Sequence, residues 1–381
     1  VRTTVILHIA HAGGPAQHIK PWIEALSARG PVEVIAPADG SALALFSQLA
    51  GTTTLDYSPL LVAPRLRDKT VFALRFGRET ARFYAHLRRT RPDLVLVVTS
   101  VVPSALIAAR AAGIPTIVYA AEMLHRRGLR RLGSRAVRQV VESAATAIVC
   151  VSDSVRGRFS ARANAFTVYP AIDRHRVATP SGALRNRLGG QRGHPCLAIL
   201  GNVARGRAHE VAVRALVLLD DLPDAWLLVA GAVLPRADDI AYERELRRLV
   251  SDLALEDRVV FAGFVDPVAD AFELADIVVN LKRGGEGLGF TTLEALALGK
   301  PVVSTAGGGL TEVLAHESNA LLIRDDDTEA LAEAVLRLCR EPALRERLVA
   351  QGRDDVAGAF SEEASVREFL RVVDSVLAGR G

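Results

Sequence analysis

Apolar, β-branched runs alternate with helical stretches along this chain, and the whole alternation happens twice. In the first half the runs are "TTVILHIA", "VEVIAP", "DLVLVV", "PTIVYA" and "TAIVCVS"; stretches such as "PWIEALSARG" and "SALIAARAAG" lie between them. A strand apolar on both faces must be covered on both faces, so the pattern predicts a parallel sheet between two layers of helices. From residue 195 the pattern restarts with "CLAILG", "WLLVAG", "RVVFAG", "DIVVNL", "PVVST" and "NALLI". The polar, Gly- and Pro-rich "YPAIDRHRVATPSGALRNRLGGQRGHP" separates the halves and reads as a linker. The expected division is a Rossmann-like domain over 1–175, a linker over 176–194, a second such domain over 195–360, and a closing helix over 361–381. That helix opens on "SEEA", a serine–glutamate capping pattern. A length of 381 residues suits two domains. Doubly wound domains facing one another would place the carboxyl ends of both sets of strands around a central cleft, where open α/β sheets bind ligands.

Half of the residues are hydrophobic, yet no apolar run approaches the roughly 18 residues of a membrane span. No basic segment leads into an apolar one near the first residue, so no secretory signal is expected. Cys150, Cys196 and Cys339 are scattered without metal or disulfide spacing. The expected setting is the reducing cytoplasm. Residues 1–175 hold 23 Lys and Arg against 11 Asp and Glu, a balance of +12; the remainder holds 24 against 32, a balance of −8. Only Lys20, Lys69, Lys282 and Lys300 among the 47 cations are lysines, which points to a GC-rich bacterial genome and makes arginine for lysine at a single site a matter of codon bias.

"GGEGLGFTTLEALALGKPVV", residues 284–303, carries the densest chemistry. It follows a predicted strand, so Gly284 to Gly289 form a strand-to-helix loop. Closely spaced glycines let backbone amides converge, and the next helix adds its positive end; together they suit phosphates. Glu294, about one turn into the helix, can accept both hydroxyls of a ribose, and Glu286 can reach a polar group beyond the phosphates. Taken alone, an acid near a helix N-terminus would equally serve the helix dipole. The string is neither a dinucleotide fingerprint, which needs an acidic residue after a second strand, nor a P-loop, since Pro301 follows Lys300.

The whole string, Glu286 and Glu294 followed by "ALALGKPVVSTAGGGLTEVL", resembles the donor-site signature of the family 4 retaining glycosyltransferases, which have the two-domain GT-B fold. "HAGGPAQHIKPWIEALSARG" is similar to that family's first loop and helix. "GIPTIVYAAE", "AIVCVSDSVRGRF" and "YPAID" are similar to its later strands and linker entry, and "LGNVARGRAHEVAVRAL" to its diphosphate-clamping loop. The resemblance implies an α/β chain of GT-B architecture whose last helix closes back on the first domain. The substrate would be a nucleoside-diphosphate sugar, UDP-linked among the candidates, with no cofactor and no metal expected. It makes Glu286, Arg207 and Arg205 the catalytic candidates. The donor set is Gly14, Gly201, Asn202, Arg205, Arg207, Phe264, Val265, Glu286, Gly287, Leu288, Gly289, Phe290, Thr291 and Glu294. The acceptor set is Gly13, Gly14, His18 and Glu122.

Three positions depart from the family pattern. Asn202 takes the usual arginine position, with Arg205 nearby to replace the charge. Arg207 stands for lysine, and Ala121 followed by Glu122 stands where many members carry a histidine that reaches the donor's hydroxymethyl group. Alanine there suits a deoxysugar or a pentose, unless Glu122 or Asn202 compensates. His8, His11 and His18 match no metal-ligand spacing. Asp325 to Asp327, between "NALLI" and a helix, reads as an N-cap. In "VFALRFGRETARFYAHLRR" an apolar stripe of Phe72, Phe76, Phe83 and Leu87 lies beside a cationic one of Arg75, Arg78, Arg82 and Arg89. Two readings stay open: a core stripe with a solvated face, or a surface for an anionic acceptor or an anionic membrane. No recognition motif accompanies the charge, so nucleic acid is not an expected partner. The sequence thus reads as a retaining glycosyltransferase moving a sugar onto a glycan, glycolipid or secondary metabolite held mainly by the first domain. A sugar-nucleotide epimerase of the same fold and a non-catalytic nucleotide-sugar binder are the alternatives.

Overall fold

The computed structural model describes residues 1–10, 14–58, 69–123, 130–189 and 193–379, less the side chains at 15, 69–73, 130–134 and 175. The chain divides into two compact units: Val1–Ala171 with Phe360–Gly381, and Ile172–Ala359.

The first unit is built on seven parallel strands: β1 (Thr3–Ile6), β2 (Val32–Ala36), β3 (Gly51–Thr54), β4 (Leu94–Val98), β5 (Thr116–Ala120), β6 (Ala147–Cys150) and β7 (Ala165–Thr167). Their spatial order is β3-β2-β1-β4-β5-β6-β7. The central strands β1, β4 and β5 are buried along their whole length; β4 is apolar throughout, and Thr3 and Thr4 of β1 and Thr116 of β5 are buried with the apolar residues. Threonine-rich β3 takes an exposed edge, where unpaired backbone groups meet water. The helix Glu362–Ala378 belongs to this unit. Ser361 caps it by accepting from the Ala364 amide at 3.2 Å. Its Phe369 stacks on Trp22 at 4.4 Å, while the Trp22 indole donates to Ser365 Oγ at 2.9 Å.

The second unit repeats the plan with β8 (Cys196–Leu200), β9 (Trp226–Ala230), β10 (Val259–Gly263), β11 (Ile277–Asn280), β12 (Val302–Thr305) and β13 (Leu321–Ile323), in the order β10-β9-β8-β11-β12-β13, all parallel. Leu197, Val229, Ile277, Val303 and Leu338 lie in its core. In each unit the order reverses beside the first strand, between β1 and β4 and between β8 and β11. Loops leaving two such strands diverge and open a crevice at the sheet's carboxyl edge.

Of the stretch 176–194 expected as a linker, the described residues 176–189 and 193–194 belong to the second unit. Short helices at Arg174–Ala178 and Ala183–Arg187 occupy part of this stretch. Buried Asp270 takes the amides of Ser181 (2.5 Å), Gly182 (3.2 Å) and Leu184 (3.1 Å) and the Ser181 hydroxyl (2.8 Å). A Gly- and Pro-rich composition marks turns; it does not say which carboxylate will hold them.

The arginine stripe is largely engaged within the first unit. On the helix Lys69–Thr90, Arg75 reaches Glu79 at 3.1 Å, Arg82 reaches Asp56 at 2.5 Å and Arg89 meets His86 Nδ1 at 3.3 Å. Phe83 and Leu87 are buried, and Phe76 is half-buried; the Phe72 side chain lies outside the described residues. No described helix is long and apolar enough to cross a membrane.

Candidate active site

β8 and β11 are neighbours at the reversal point of the second sheet, and the loops leaving them carry the site. After β8 the chain turns through Gly201, whose φ of +127° disfavours any residue with a Cβ. A Cβ there would also lie 2.8 Å from Arg207 Cζ, so the glycine makes room for that side chain. Arg207, on the turn Arg205–Arg207, meets Glu286 with Nη2 to Oε1 at 3.0 Å, both side chains largely buried.

Glu286 is held from several sides. Its carbonyl accepts from the Gly309 amide at 2.8 Å, and Asn280 Nδ2 lies 3.4 Å from Oε2 and 3.0 Å from Thr292 Oγ1. Behind it two loops run backbone against backbone: a Cβ on Gly285 would stand 2.2 Å from the Gly307 carbonyl carbon. Gly307 and Gly308 answer the same close approach from the other loop, since a Cβ on Gly308 would stand 2.1 Å from the Glu286 carbonyl oxygen.

The helix Phe290–Leu298 starts at Gly289 and ends at Gly299, which is in the left-handed conformation. The amides of Gly299 and Lys300 return to the Leu296 and Ala295 carbonyls at 2.9 Å each, a glycine-terminated helix end. Glu294 sits inside this helix, buried, and is paired with Arg176. Burial pushes its carboxyl up to about 7 against the opposing pull of Arg176, with Asp173 adding to the rise.

Of the other donor candidates, Leu288 is buried and Gly287, Phe290 and Thr291 are half-buried around the helix start. Asn202 is exposed next to Gly201. Phe264, exposed, and Val265 follow the edge strand β10, two strands from β8. Arg205 engages other groups. Its guanidinium pairs with Glu245 at 2.6 Å and lies over the Tyr242 ring at 5.0 Å, on the surface rather than beside Arg207. The two arginines of the turn thus have different partners, Glu245 for Arg205 and Glu286 for Arg207.

Sequence reasoning missed Lys282, Arg283 and Asn280. Arg283 donates to Glu210 (2.6 Å), to Asp326 (2.7 Å) and to the Arg205 carbonyl (2.7 Å), tying the two loops together. Burial would raise the Glu210 carboxyl, but hydrogen bonds from Tyr242 and Arg283 hold it below its ordinary value. The signal was present: Lys282 and Arg283 directly precede the glycine loop, in a chain with four lysines. Of the acidic run, Asp327 caps the helix Thr328–Arg340 through the Ala330 amide at 2.9 Å, and Asp325 accepts from the Gly284 amide at 3.1 Å.

In the first unit, Gly14 opens the short helix Gly14–His18, and buried His18 faces the Ala171 carbonyl at 3.3 Å. Gly13 and His11 lie outside the described residues. Glu122, just past β5, accepts from the Ser100 hydroxyl at 3.0 Å and amide at 3.3 Å, and burial raises its carboxyl pKa. Thr99 beside it holds φ +75°, an outlier for a β-branched residue. The half-buried His8 ring, two residues past β1, has its pKa lowered to about 4 by desolvation.

Two family models match this chain: Glycosyltransferase Family 4 over residues 12–176 and Glycosyl transferases group 1 over residues 183–355. Among curated proteins it is similar to the lipopolysaccharide core biosynthesis glycosyltransferase LpsD of Rhizobium meliloti, 37% identical over 36% of this chain and 40% of that protein. It is also similar to LpsE of the same organism, a lipopolysaccharide core biosynthesis glycosyltransferase, at 29% over 54% of each. The matches thus span about half the length of these relatives. Among solved structures, Anabaena HepE in complex with UDP-glucose superposes with a TM-score of 0.83 at 18% identity, over 98% of this chain and 99% of that one. Sucrose-phosphate synthase from Thermosynechococcus elongatus superposes at 0.80 with 21% identity over 100% of both. At such identities the likeness speaks for the fold, which is GT-B. Two repeated parallel sheets, a glycine-built loop pair at the second reversal point and family models matching both halves have one reading: this chain belongs to the family 4, group 1 glycosyltransferases.

Proposed function

We propose that this chain transfers a sugar from a nucleoside diphosphate to an acceptor with retention of anomeric configuration. The observation that carries the reading is the Arg207–Glu286 pair at the reversal point between β8 and β11, directly ahead of the helix that holds Glu294. In this reading the diphosphate lies against Arg207 and the positive end of the helix Phe290–Leu298. Glu294 accepts the ribose hydroxyls, and Glu286 orients the sugar and shares the positive charge that develops on it. The bond from anomeric carbon to phosphate oxygen breaks as the bond to the acceptor oxygen forms on the same face, and the acceptor's proton passes to the departing phosphate. Fixed positive charge at that oxygen favours the transition state over the bound donor. No metal is assigned a part.

Gly14, His18 and Glu122 are proposed for the acceptor. The UDP-glucose in the HepE complex supports a nucleotide-sugar donor of the same class. The test is mass spectrometry of the protein incubated with a panel of nucleotide sugars, with and without candidate acceptors and with and without EDTA. Release of nucleoside diphosphate together with a glycosylated acceptor, unaffected by EDTA, is expected. Conversion of the donor into an isomer with no acceptor present would overturn the proposal, as would binding with every donor recovered intact.

A further inference from the structure

We propose that Lys282 is a second cation of the diphosphate site, supplying the charge that Asn202 does not. The assignment rests on the donor-site reading above.

Lys282 stands two residues past β11, and Arg207 stands on the loop after the adjacent β8, so the two cations rise from neighbouring strand ends. The Lys282 ammonium extends to the other loop: a Cβ added at Gly206 would lie 2.9 Å from Nζ. Its backbone is fixed, because the Lys282 carbonyl accepts from the Thr305 hydroxyl and the Gly285 amide, each at 3.1 Å. The side chain is half-buried and senses Arg207 and Glu286. Among the described residues no ion pair or hydrogen bond engages its ammonium, whereas Arg283 next to it holds two carboxylates and a carbonyl. Arg205 is turned to Glu245, which leaves the loop after β8 with one cation at the site.

Two cations around one carboxylate leave a positive charge uncompensated in a half-buried place. Burial and the field of Arg207 hold the Lys282 pKa below the usual ammonium range, with Glu286 opposing. Such an arrangement costs energy until an anion enters, and a diphosphate brings more than one negative charge across the width of the two side chains.

The experiment is calorimetric titration of the full chain with UDP, GDP, the matching nucleosides and inorganic pyrophosphate. Lys282→Met should weaken pyrophosphate and the bound nucleoside diphosphate about tenfold, the worth of one charge-assisted hydrogen bond, and leave the nucleoside unchanged. Lys282→Arg should bind nearly as well as wild type, and adding Asn202→Arg to Lys282→Met should recover affinity. If Lys282→Met does not fold, Lys282→Gln, which keeps a polar end, is held to the same criterion. Wild-type affinity for pyrophosphate and nucleoside diphosphate in either variant would overturn the assignment. A wild-type protein that binds no nucleoside diphosphate would overturn the donor-site reading itself, and this assignment with it.

Discussion

Glu286 and Glu294 are eight residues apart and have different surroundings, so their substitutions should separate binding from turnover. Glu294→Ala should weaken nucleoside diphosphate binding by about 1–3 kcal/mol, because the ribose hydroxyls lose a buried acceptor. Glu286→Ala should lower turnover and leave donor affinity close to wild type, since its contact strengthens as the sugar becomes cationic. Calorimetry and rates measured on both variants check the split; wild-type affinity and rate in both would place the site elsewhere. Glu294 also predicts a pH dependence. Burial pushes its carboxyl up to about 7 in the folded chain, against 4.5 for a free glutamate, so the folded state binds this proton more tightly than the unfolded one. Its contribution to stability is therefore complete below about 4.5 and is lost as pH rises through about 7. Acceptance of ribose hydroxyls needs the ionised form, so nucleotide binding should tighten over that same window. Titrations of wild type and Glu294→Gln between about pH 6 and 8 test this: an inflection near 7 should be present in the first and absent in the second. The two glutamates were legible in the sequence because their spacing around glycines is a local pattern. Asn280, which lies beside Glu286, and Arg176, which pairs with Glu294, were not, since the first contact depends on how the glycine loop folds back over the strand end and the second joins helices 118 residues apart in the chain.

Among the elements, the helix Glu362–Ala378 shows how a locally encoded piece acquires its function from a distant one. Ser361 marks its start by a rule that can be read from four residues. Its docking rests on Trp22, 347 positions away from Phe369 and fully buried between that ring and Tyr119. Trp22→Ala should cost about 3–5 kcal/mol through lost contact and cavity formation. Amide protection should then fall along 362–378 more than in the second unit; equal loss throughout the chain would refute this coupling. The helix Lys69–Thr90 carries the complementary lesson. Its arginine periodicity was plain, but the partners Asp56 and Glu33, the latter through His86, come from other parts of the unit. Periodicity identifies a charged face without identifying what neutralises it.

Over the whole molecule, the second unit is one uninterrupted stretch with its own core, and it contains Arg176, Arg207, Lys282, Glu286 and Glu294 together. A chain cut to residues 172–359 should therefore fold cooperatively and bind nucleoside diphosphate as the full chain does. Loss of binding in a folded fragment would mean that the first unit supplies part of the nucleotide site. The first unit is interrupted, because residues 360–381 return to it, and is not expected to fold when they are removed. The amino-acid sequence by itself determined the parallel sheets, their repetition and the helix ends, because apolar periodicity, glycine at left-handed positions and capping residues act within a few residues of themselves. Only the tertiary structure decided that Arg205 faces Glu245, that Lys282 stands beside Arg207, and that residues 176–189 belong to the second unit. Each of these depends on a long, charged or polar group choosing between partners far apart in the chain, and the strand order determines which of them is within reach.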